Sequence, residues 1–490
     1  MRHPIGEASL VFLIGLIFAN AATANANRNQ QLDAYFQEQL QIQKVAGATV
    51  AVIEANQIAH TSAFGVRSTA SENKMTADTV FQAASISKAV TAWGVMRLVE
   101  EGKIDLDAPV STYLTRWHLP PSLFDENEVT VRLVLSHTGG LSLPSYVGFE
   151  PTDILPNFEA SLSGDTNGSG SLNLVTKPGD HFAYSGGGYT LLGLIIEEVS
   201  GLSFADYMQA QVLDPLGMTS SSYMPSQALL SRMAQAHDLR LNPIPNYQLA
   251  AQGAGSLHTT AGDLARFAIA NMSDNPVLSR DTLREMHTAV IDTGFGNQMG
   301  LGFFVEAGGQ LIGHSGSNRG WKARLQFWPA AQAGLVILTN AESGEALVSN
   351  GFCHWNDSFQ IALLTANCAN RAEQLGLLNT VGWLITTLLA SISLAITMRL
   401  LSNILINKRA FRRPLLTEWR CWAIATIILV GIAHIAFFYT GLGVWLMAGI
   451  PWGFSVADHA PVPIQYAIHT LLLLFAVIAA SFLLRKQPDQ

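Results

Sequence analysis

The stretch Ala83–Val90 (AASISKAV) brings two hydroxyls and one amine together among small and apolar residues. Ser85 and Lys88 are three residues apart, so on a helix they share a face and their side chains can meet. A serine becomes a nucleophile when a neighbouring base removes its proton, and a partly desolvated lysine with a lowered pKa is such a base. Ser87 points to another side of the helix. The alternative is that Ser85 only caps the helix, a common role for serine.

Two glycine-containing segments further along the chain carry residues that would complete such a site. Tyr184 is followed by Ser-Gly-Gly-Gly, a tight turn before a helix that can project a phenol into a cleft. The segment Gly313–Ser317 (GHSGS) begins in a strand, and Gly316 allows a ligand to approach the backbone closely. Taken singly, a tyrosine beside a glycine turn or a histidine on a strand is more often structural than catalytic.

Taken together, the segments resemble the serine β-lactamase and penicillin-binding-protein superfamily. S-x-x-K is followed by Tyr-Ser-Gly and then by His-Ser-Gly, the order of the class C-like branch, which also contains D-alanyl carboxypeptidases, D-aminopeptidases and esterases. The resemblance covers about residues 30–345. Four further stretches also resemble this family: Leu135–Leu141, Lys177–Asp180, Asp214–Met218 and Gly253–Leu257.

The resemblance implies a role for each matched residue. Ser85 would attack a carbonyl and form an acyl-enzyme, while Lys88 and Tyr184 would share the general-base and general-acid steps. The backbone amides of Ser85 and Ser317 would form the oxyanion hole. No metal or organic cofactor is implied. The residues expected to bind the substrate are His314, Ser315, Gly316, Gly186 and Arg319.

The third motif departs from that of the β-lactamases, which have a lysine where this chain has His314. That lysine supplies a fixed cation beside the substrate carboxylate, whereas histidine is largely neutral near pH 7. Arg319 is close in sequence and is the candidate to replace the cation. The departure favours peptidase or esterase activity over efficient β-lactam hydrolysis. His137, in the Ser-His-Thr-Gly-Gly block, is expected to be structural.

The composition divides the chain into a globular part and an apolar part. Charged residues make up 13% and hydrophobic residues 49% of the 490 residues, against about 25% charged in a typical soluble protein. The deficit lies in residues 378–484, which are largely apolar. The net charge of −8 and the lack of a basic stripe in the globular part argue against nucleic acid as a partner. Cys353 and Cys368 form either a disulfide or two buried free thiols.

The globular domain, residues 27–369, is expected to be α+β, with a class C β-lactamase-like antiparallel sheet flanked by helices and a helical lobe. Gly47–Glu54 and Gln57–Val66 predict a hairpin, and a helix is predicted from Ser85 to Glu101. Strands from both ends of the domain would then build one sheet. The late strands are predicted at Phe303–Glu306, Gln310–Gly313, Lys322–Trp328 and Gly334–Thr339.

Residues 1–26 have the features of an export signal. A positively charged start precedes the apolar run Ala8–Phe18, and the small residues that follow offer A-x-A cleavage sites ending at Ala24 and Ala26. The alternative is an uncleaved anchor. In either case the domain that follows is expected to be exported.

Three apolar spans follow the domain, at residues 378–398, 421–441 and 464–484. Each has 21 residues without Asp, Glu, Lys or Arg, enough to cross about 30 Å of hydrocarbon as a helix. The loop between the first two spans is rich in Lys and Arg, the next loop contains neither, and the tail begins Arg485-Lys486. By the positive-inside rule the first loop and the tail are cytoplasmic. The catalytic domain would then lie on the periplasmic side of the inner membrane.

An exported class C-like domain followed by three membrane helices resembles the periplasmic prodrug-activating peptidases, such as the colibactin-maturation peptidase, which remove an acylated D-asparagine. Gly186, however, stands where a hydroxyl side chain would support that specificity. The sequence therefore predicts a membrane-anchored serine hydrolase that cleaves amides or esters, with peptides or acyl-peptides containing a D-residue as preferred substrates.

Other functions and partners stay open at this point. A cell-wall D-Ala-D-Ala carboxypeptidase, an esterase and a weak β-lactamase use the same chemistry. A penicillin-type sensor that stays acylated is the alternative of another class. The membrane is an expected partner, and a transporter or a second copy of the chain are candidate partners of the apolar helices.

Overall fold

The computed structural model describes residues 27–71, 73–358, 362–405, 409–411, 419–439 and 462–486. The chain divides into two compact units, Met1–Thr365 and Ala366–Gln490. The predicted export signal, residues 1–26, lies outside the described residues.

The first unit combines ten strands with eleven helices among its described residues. The strands are β1 (Gly47–Glu54), β2 (Gln57–Gly65), β3 (Phe81–Gln82), β4 (His258–Thr259), β5 (Ile291–Asp292), β6 (Gln298–Met299), β7 (Phe304–Glu306), β8 (Leu311–Asn318), β9 (Trp321–Trp328) and β10 (Ala333–Thr339). The helices are α1 (residues 27–42), α2 (Ile86–Glu100), α3 (Val131–Leu135), α4 (Phe158–Leu162), α5 (Gly186–Ser200), α6 (Phe204–Met208), α7 (Gln227–Leu230), α8 (Gln252–Gly255), α9 (Ala261–Met272), α10 (Arg280–His287) and α11 (Gly344–Ser358).

Eight of these strands form one antiparallel sheet, in the order β2-β1-β10-β9-β8-β7-β6-β5. Ala48 of β1 lies opposite Thr339 of β10, so the sheet is built from both ends of the unit, as the sequence predicts. The α+β fold class with its antiparallel sheet is thereby confirmed.

Both faces of the sheet are buried, which explains the continuous apolar run of β1. Val50 and Val52 pack into a cluster with residues of α1 and α11, whereas Ala51 and Ile53 belong to the core shared with the helical lobe. Successive side chains of a strand point to opposite faces. The cleft-forming helices and the α1–α11 pair therefore lie on opposite sides of the sheet.

Helix α2 lies at the centre of the larger core. From Ile86 to Met96 each of its residues is buried, including Ser87 and Lys88. A helix that is buried all round has no solvent-facing stripe and is fixed by contacts on every side. The start of α2, where Ser85 stands, is consequently held on a rigid support.

The predicted boundaries agree closely for β1 and α2 but not for β8. The prediction ends this strand at Gly313, whereas the structure continues it to Asn318, paired with β9 as far as Trp321. The His-Ser-Gly-Ser segment lacks the β-branched and aromatic residues that favour strands. Pairing with β9 overrides that weak local preference.

The second unit is helical, with α12 (Ala362–Leu405) entering it, followed by α13 (Trp419–Tyr439) and α14 (Val462–Phe482). The segment Thr380–Ser402 is the one described helical segment that is long and apolar enough to cross a membrane. The predicted second and third spans correspond to shorter apolar helical stretches, Trp422–Phe437 and Tyr466–Phe482. Cys353 and Cys368 are both disulfide-bonded, which removes the free-thiol alternative.

Candidate active site

Ser85 stands at the N-cap of α2 but does not act as a cap. Its side chain makes no capping hydrogen bond, so the hydroxyl is left for other partners. The preceding residue, Ala84, has a φ of +49°, in the left-handed region that an alanine rarely adopts. Strain of this kind at a candidate nucleophile is maintained only when the surroundings enforce it.

Ser87 enforces the strained turn. Its hydroxyl donates to the carbonyl oxygen of Ala84 at 2.6 Å and accepts from the amide of Leu257 at 3.0 Å. Ser87 is fully buried, whereas Ser85 is partly exposed. The two serines of the motif thus have different roles: Ser87 fixes the backbone, and Ser85 presents its hydroxyl to the cleft.

Lys88 places its amine beside the hydroxyl of Ser85. The Nζ atom lies 3.3 Å from Ser85 Oγ and donates to the carbonyl oxygen of Ala254 at 2.7 Å. Lys88 is only 2% exposed, and burial lowers its pKa from 10.5 to about 7. A substantial fraction of the amine is therefore uncharged near neutral pH and can accept a proton from serine.

Tyr184 is the third group at this point. Burial raises the pKa of its hydroxyl above the ordinary value, and the neighbouring side chain of Ser85 opposes that rise. The Nζ atom of Lys88 lies 4.9 Å from the centre of the tyrosine ring. Because burial keeps the phenol protonated and leaves much of the amine uncharged near neutral pH, Lys88 is the group available as the base, and Tyr184 carries a proton that it can pass on.

The turn that presents Tyr184 is tied down by its neighbours. Ser185 caps α5 by accepting from the amide of Gly188 at 2.9 Å, and its own amide donates to His137 Nδ1 at 3.1 Å. The His137 ring lies 4.2 Å from the ring of Tyr184, centre to centre. Burial holds the pKa of His137 well below 6.5, which keeps Nδ1 unprotonated as an acceptor. This contact supports the structural role expected for His137.

Strand β8 approaches the nucleophile turn through Gly316. A methyl group built on Gly316 would lie 2.2 Å from the carbonyl oxygen of Ala83 and 3.2 Å from the side chain of Ala84. No side chain fits at that distance, so glycine is required by the close approach of two backbones. The contact brings the Ser-Gly-Ser part of β8 next to Ser85.

The backbone amide of Ser317 points away from β9. Strands β8 and β9 are joined by the two-residue turn Arg319–Gly320, and Asn318 pairs with Trp321. The pair next to such a turn exchanges hydrogen bonds, and the following pair, Ser317 with Lys322, does not. Strand β7 pairs with β8 along Leu311–Gly313. The Ser317 amide lies beyond the residues of β8 that pair with β7. It therefore points away from β9 without a strand partner among the described residues and can donate to a substrate oxygen.

His314 presents a lone pair to the site, not a charge. Its Nδ1 atom lies 2.6 Å from the carbonyl oxygen of Ser315, so Nδ1 carries the proton and donates it. The Nε2 atom is buried and has no hydrogen-bond partner. Burial and, secondarily, the charge of Lys88 lower the pKa of His314 to about 3. At neutral pH this residue is an uncharged acceptor.

Ser315 and Arg319, two further predicted substrate contacts, do not point into the site as His314 does. Side chains alternate along β8, so that Ser315 lies on the face opposite His314 and would reach a substrate only through its backbone. Arg319 is exposed, and its guanidinium lies 4.3 Å from the centre of the Tyr247 ring. Asn318 and the Tyr247 carbonyl both bond Gln82, next to the nucleophile turn. Arg319 therefore belongs to a wall of the cleft.

Gly186 is buried against a loop, which limits what this position can do. A methyl group built there would lie 3.0 Å from the carbonyl oxygen of Pro144 and 3.4 Å from the ring of Tyr146. The hydroxyl of Tyr146 in turn bonds Thr190 at 2.7 Å. A side chain at this position would therefore need the loop to shift by a few tenths of an ångström.

Sequence reasoning missed the groups that hold the candidate catalytic residues. The Ala254 carbonyl belongs to the Gly253–Leu257 block, which resembles the family but had no assigned role. Gln82 and Tyr247 carry no motif, and only the fold brings Tyr247 to Gln82, three residues before Ser85. Among the described residues, no group of three or more His, Cys, Asp or Glu side chains is arranged to hold a metal ion.

Comparisons with known proteins agree with this arrangement. The sequence profile of the Beta-lactamase family matches residues 32–351. Protein flp of Staphylococcus aureus is 26% identical over 322 residues, which cover 64% of this chain and 63% of that protein. The chain thus matches less than two thirds of the length of this relative.

Solved structures give the same result. SurE, solved with D-Leu, is 26% identical with a TM-score of 0.56, over 68% of this chain and 76% of that one. A class C β-lactamase is 23% identical with a TM-score of 0.54, over 65% and 92% of the two chains. The chain belongs to the β-lactamase family, and its first unit has the class C β-lactamase-like fold of a serine hydrolase.

Proposed function

We propose that this chain is an exported, membrane-anchored serine hydrolase that cleaves an amide or ester bond through an acyl-enzyme on Ser85. The observation that carries the proposal is the position of the Ser85 hydroxyl, 3.3 Å from the buried amine of Lys88 and beside the phenol of Tyr184. The strained turn, the buried helix and the close approach of β8 all serve to hold that hydroxyl in place.

The reaction follows from the protonation states. Neutral Lys88 takes the proton of Ser85 while Oγ attacks the substrate carbonyl carbon, and the amides of Ser85 and Ser317 stabilise the negative oxygen that forms. The proton then passes through Tyr184 to the leaving amine or alkoxide as its bond to the acyl carbon breaks. A water molecule, deprotonated by Lys88, then attacks the acyl-enzyme ester. The acyl group leaves as the acid, and Ser85 recovers its proton.

The preferred substrate is a peptide or acyl-peptide with a D-configured residue. A similar protein, SurE, has been solved with D-Leu, which supports D-configuration. The lone pair of His314 favours a hydrogen-bond donor, such as an amide N–H, over the carboxylate that a lysine would hold. Arg319, Gly316 and the backbone of Ser315 complete the proposed contacts. Since Gly186 has no hydroxyl and packs tightly against the loop, we expect D-Asn prodrug cleavage to require other contacts.

The proposed organisation places this site on the periplasmic side of the inner membrane, with residues 1–26 as the signal, residues 27–369 as the catalytic domain and three spans as the anchor. The apolar segment Thr380–Ser402 supports the first span. Residues Arg409–Phe411 pair with Leu484–Lys486. This pairing is compatible with the basic loop and the tail lying on the same side of a membrane. Contacts of the spans with a transporter or a second copy of the chain are part of the proposal.

The test is a comparison of the detergent-extracted parent with Ser85→Ala on four probes: a fluorophosphonate, an acyl-D-Asn amide, D-Ala-D-Ala peptides and nitrocefin. We expect labelling and turnover of a D-residue amide by the parent and neither by Ser85→Ala. Equal labelling of the two proteins would rule out Ser85 as the nucleophile. Labelling without turnover of any substrate would favour the acylated sensor.

A second candidate function is a cell-wall carboxypeptidase or a weak β-lactamase. The observation that favours it is the class C β-lactamase-like fold of the first unit. Turnover of D-Ala-D-Ala peptides or nitrocefin faster than that of acyl-D-residue amides would select this candidate.

A further inference from the structure

A buried ion pair lies behind the strand that carries Ser317. The Nζ atom of Lys322, on β9, donates to Ser317 Oγ at 2.8 Å and to Glu342 Oε1 at 2.5 Å. Lys322 is 5% exposed. Breaking a buried ion pair leaves an unpaired charge and is costly. The ammonium is therefore fixed in place and holds the hydroxyl of Ser317 with it.

The same carboxylate also holds the turn that follows Ser317. Glu342 Oε2 accepts a hydrogen bond from the amide of Gly320 at 2.7 Å. The amide of Glu342 in turn donates to the carbonyl oxygen of His237 at 3.0 Å, which fixes the backbone of the carboxylate-bearing residue. Lys322 and Glu342 thus fix β8 and its turn through two hydrogen bonds, one to the Ser317 side chain and one to the Gly320 backbone.

This network does not face the substrate. Along β8, Asn318 and His314 point toward the cleft, and Ser317, one residue away from Asn318, points to the opposite face. The backbone amide of Ser317 lies between these two faces, at the edge of the strand. The ion pair consequently holds a residue whose amide is the proposed oxyanion donor while itself contacting no reacting atom.

We infer that Lys322 and Glu342 are positioning residues for the oxyanion hole. The inference rests on the proposed function, because it assigns the Ser317 amide to the developing negative charge. A donor accelerates the reaction only if it is held where the oxyanion forms, since preorganisation is what makes it effective. Loss of the Lys322–Glu342 ion pair leaves the Ser317 amide present but lets β8 and its turn move.

Arg324 provides a matched control on the same strand. It lies two residues beyond Lys322, pairs in register with Ser315, and forms an ion pair with Glu306 of β7 at 3.5 Å. It carries the same charge and points to the same face of the sheet, and its described partners are Glu306, Gln326 and the ring of Phe352. Its loss tests what removal of a partly buried cation from this face does by itself.

The experiment measures inactivation of the full-length, detergent-extracted protein by a fluorophosphonate, whose phosphoryl oxygen occupies the oxyanion position. We expect Lys322→Met and Glu342→Gln to lower the maximal inactivation rate about tenfold, a part of the 10²–10³-fold effect of removing a donor. The probe concentration at half-maximal rate should stay within twofold. Arg324→Met should keep both quantities within twofold of the parent.

Thermal unfolding of each variant separates positioning from stability. If Lys322→Met does not fold, Ser317→Ala removes only the hydroxyl that Lys322 holds, and it should still slow inactivation several-fold. An unchanged maximal rate in the folded variants, or an equal loss in Arg324→Met, would overturn the inference alone. A parent protein that is not labelled at Ser85 would overturn the proposed function and this inference together.

Discussion

The Nζ atom of Lys88 lies 3.3 Å from the Oγ atom of Ser85, on the buried first turn of α2. Among the residues that the structure describes, the amine has one other hydrogen-bond partner, the carbonyl oxygen of Ala254 at 2.7 Å. A carbonyl offers no charge to balance an ammonium, so burial dominates and lowers the pKa of Lys88 to about 7. This relationship makes the rate of acylation depend on pH in a defined direction.

Acylation of Ser85 is expected to accelerate as the pH rises through about 7. Below that pH Lys88 is protonated and cannot take the serine proton; above it the amine is neutral and the rate reaches a plateau. Replacing Lys88 by Arg, which stays charged, should reduce the rate at least about 10²-fold, the usual size of a general-base contribution. Fluorophosphonate labelling rates between pH 5 and 9 measure both effects.

The control for that substitution is Lys103→Arg, because the Lys103 side chain is 53% exposed and pairs with Glu101 at the protein surface. It should leave the rate and its pH midpoint unchanged. A rate for the parent that is flat from pH 5 to 9 would contradict the assignment of Lys88 as the base.

Ser87→Ala is expected to weaken the fold without removing the nucleophile. The substitution leaves the buried amide of Leu257 without its acceptor, while the carbonyl of Ala84 keeps its hydrogen bond from the Ser87 amide. An unsatisfied buried group costs about 1–3 kcal/mol of unfolding free energy. Urea unfolding measures the loss, and Ser231→Ala, at an exposed position, is the matched control.

The same variant should still be labelled at Ser85, more slowly than the parent because the Ala84 turn is less firmly held. Abolished labelling of a folded Ser87→Ala protein would mean that Ser87 takes part in the chemistry itself.

Gly316→Ala is expected to impair the chemistry strongly. The new methyl group would meet the Ala83 carbonyl oxygen at 2.2 Å, so β8 must move away from the nucleophile turn. Displacing the Ser317 amide should lower the rate of acylation by about 10²-fold, as for loss of an oxyanion donor. Gly262→Ala is the control, since its methyl group would have no neighbour closer than 3.8 Å. A Gly316→Ala protein with the parent rate would contradict the close approach of the two backbones.

His314→Lys is expected to shift the pH dependence and the substrate preference together. A second ammonium near Lys88 disfavours protonation of the amine, so the midpoint near pH 7 should move to lower pH. The new cation would also attract a carboxylate, and hydrolysis of nitrocefin should increase relative to that of an uncharged ester. Both are measured on the purified variant, with His60→Lys, on the edge strand β2, as the control. An unshifted midpoint would mean that residue 314 does not face Lys88.

The candidate catalytic residues were predictable from the sequence because the motifs that carry them are local. Ser85 and Lys88 lie on one helical turn, and the Tyr-Ser-Gly and His-Ser-Gly segments add two further pieces in a family-specific order. The hairpin β1–β2 and the helix α2 were also predictable, from apolar runs on both sides of a turn and from a glycine stop. Such features are encoded within about ten residues of chain.

The supporting residues were not predictable, because they depend on contacts between distant segments. Ser87 shares the S-x-x-K motif but is distinguished from Ser85 only by its bonds to Ala84 and to Leu257. The extension of β8 to Asn318 comes from pairing with β9 and not from strand-favouring residues. Lys322 and Glu342 have no motif, and the fold alone brings them to Ser317.

The central claim is that Ser85 carries the acyl group. The direct measurement is peptide mapping by mass spectrometry after the full-length protein has been quenched during turnover of an acyl-D-residue ester, with Ser85→Ala treated in parallel. We expect the added acyl mass on the peptide that contains Ser85, fragmentation that places it on Ser85 and not on Ser87, and no adduct in Ser85→Ala. An adduct on Ser87, or an equal adduct in Ser85→Ala, would contradict the account.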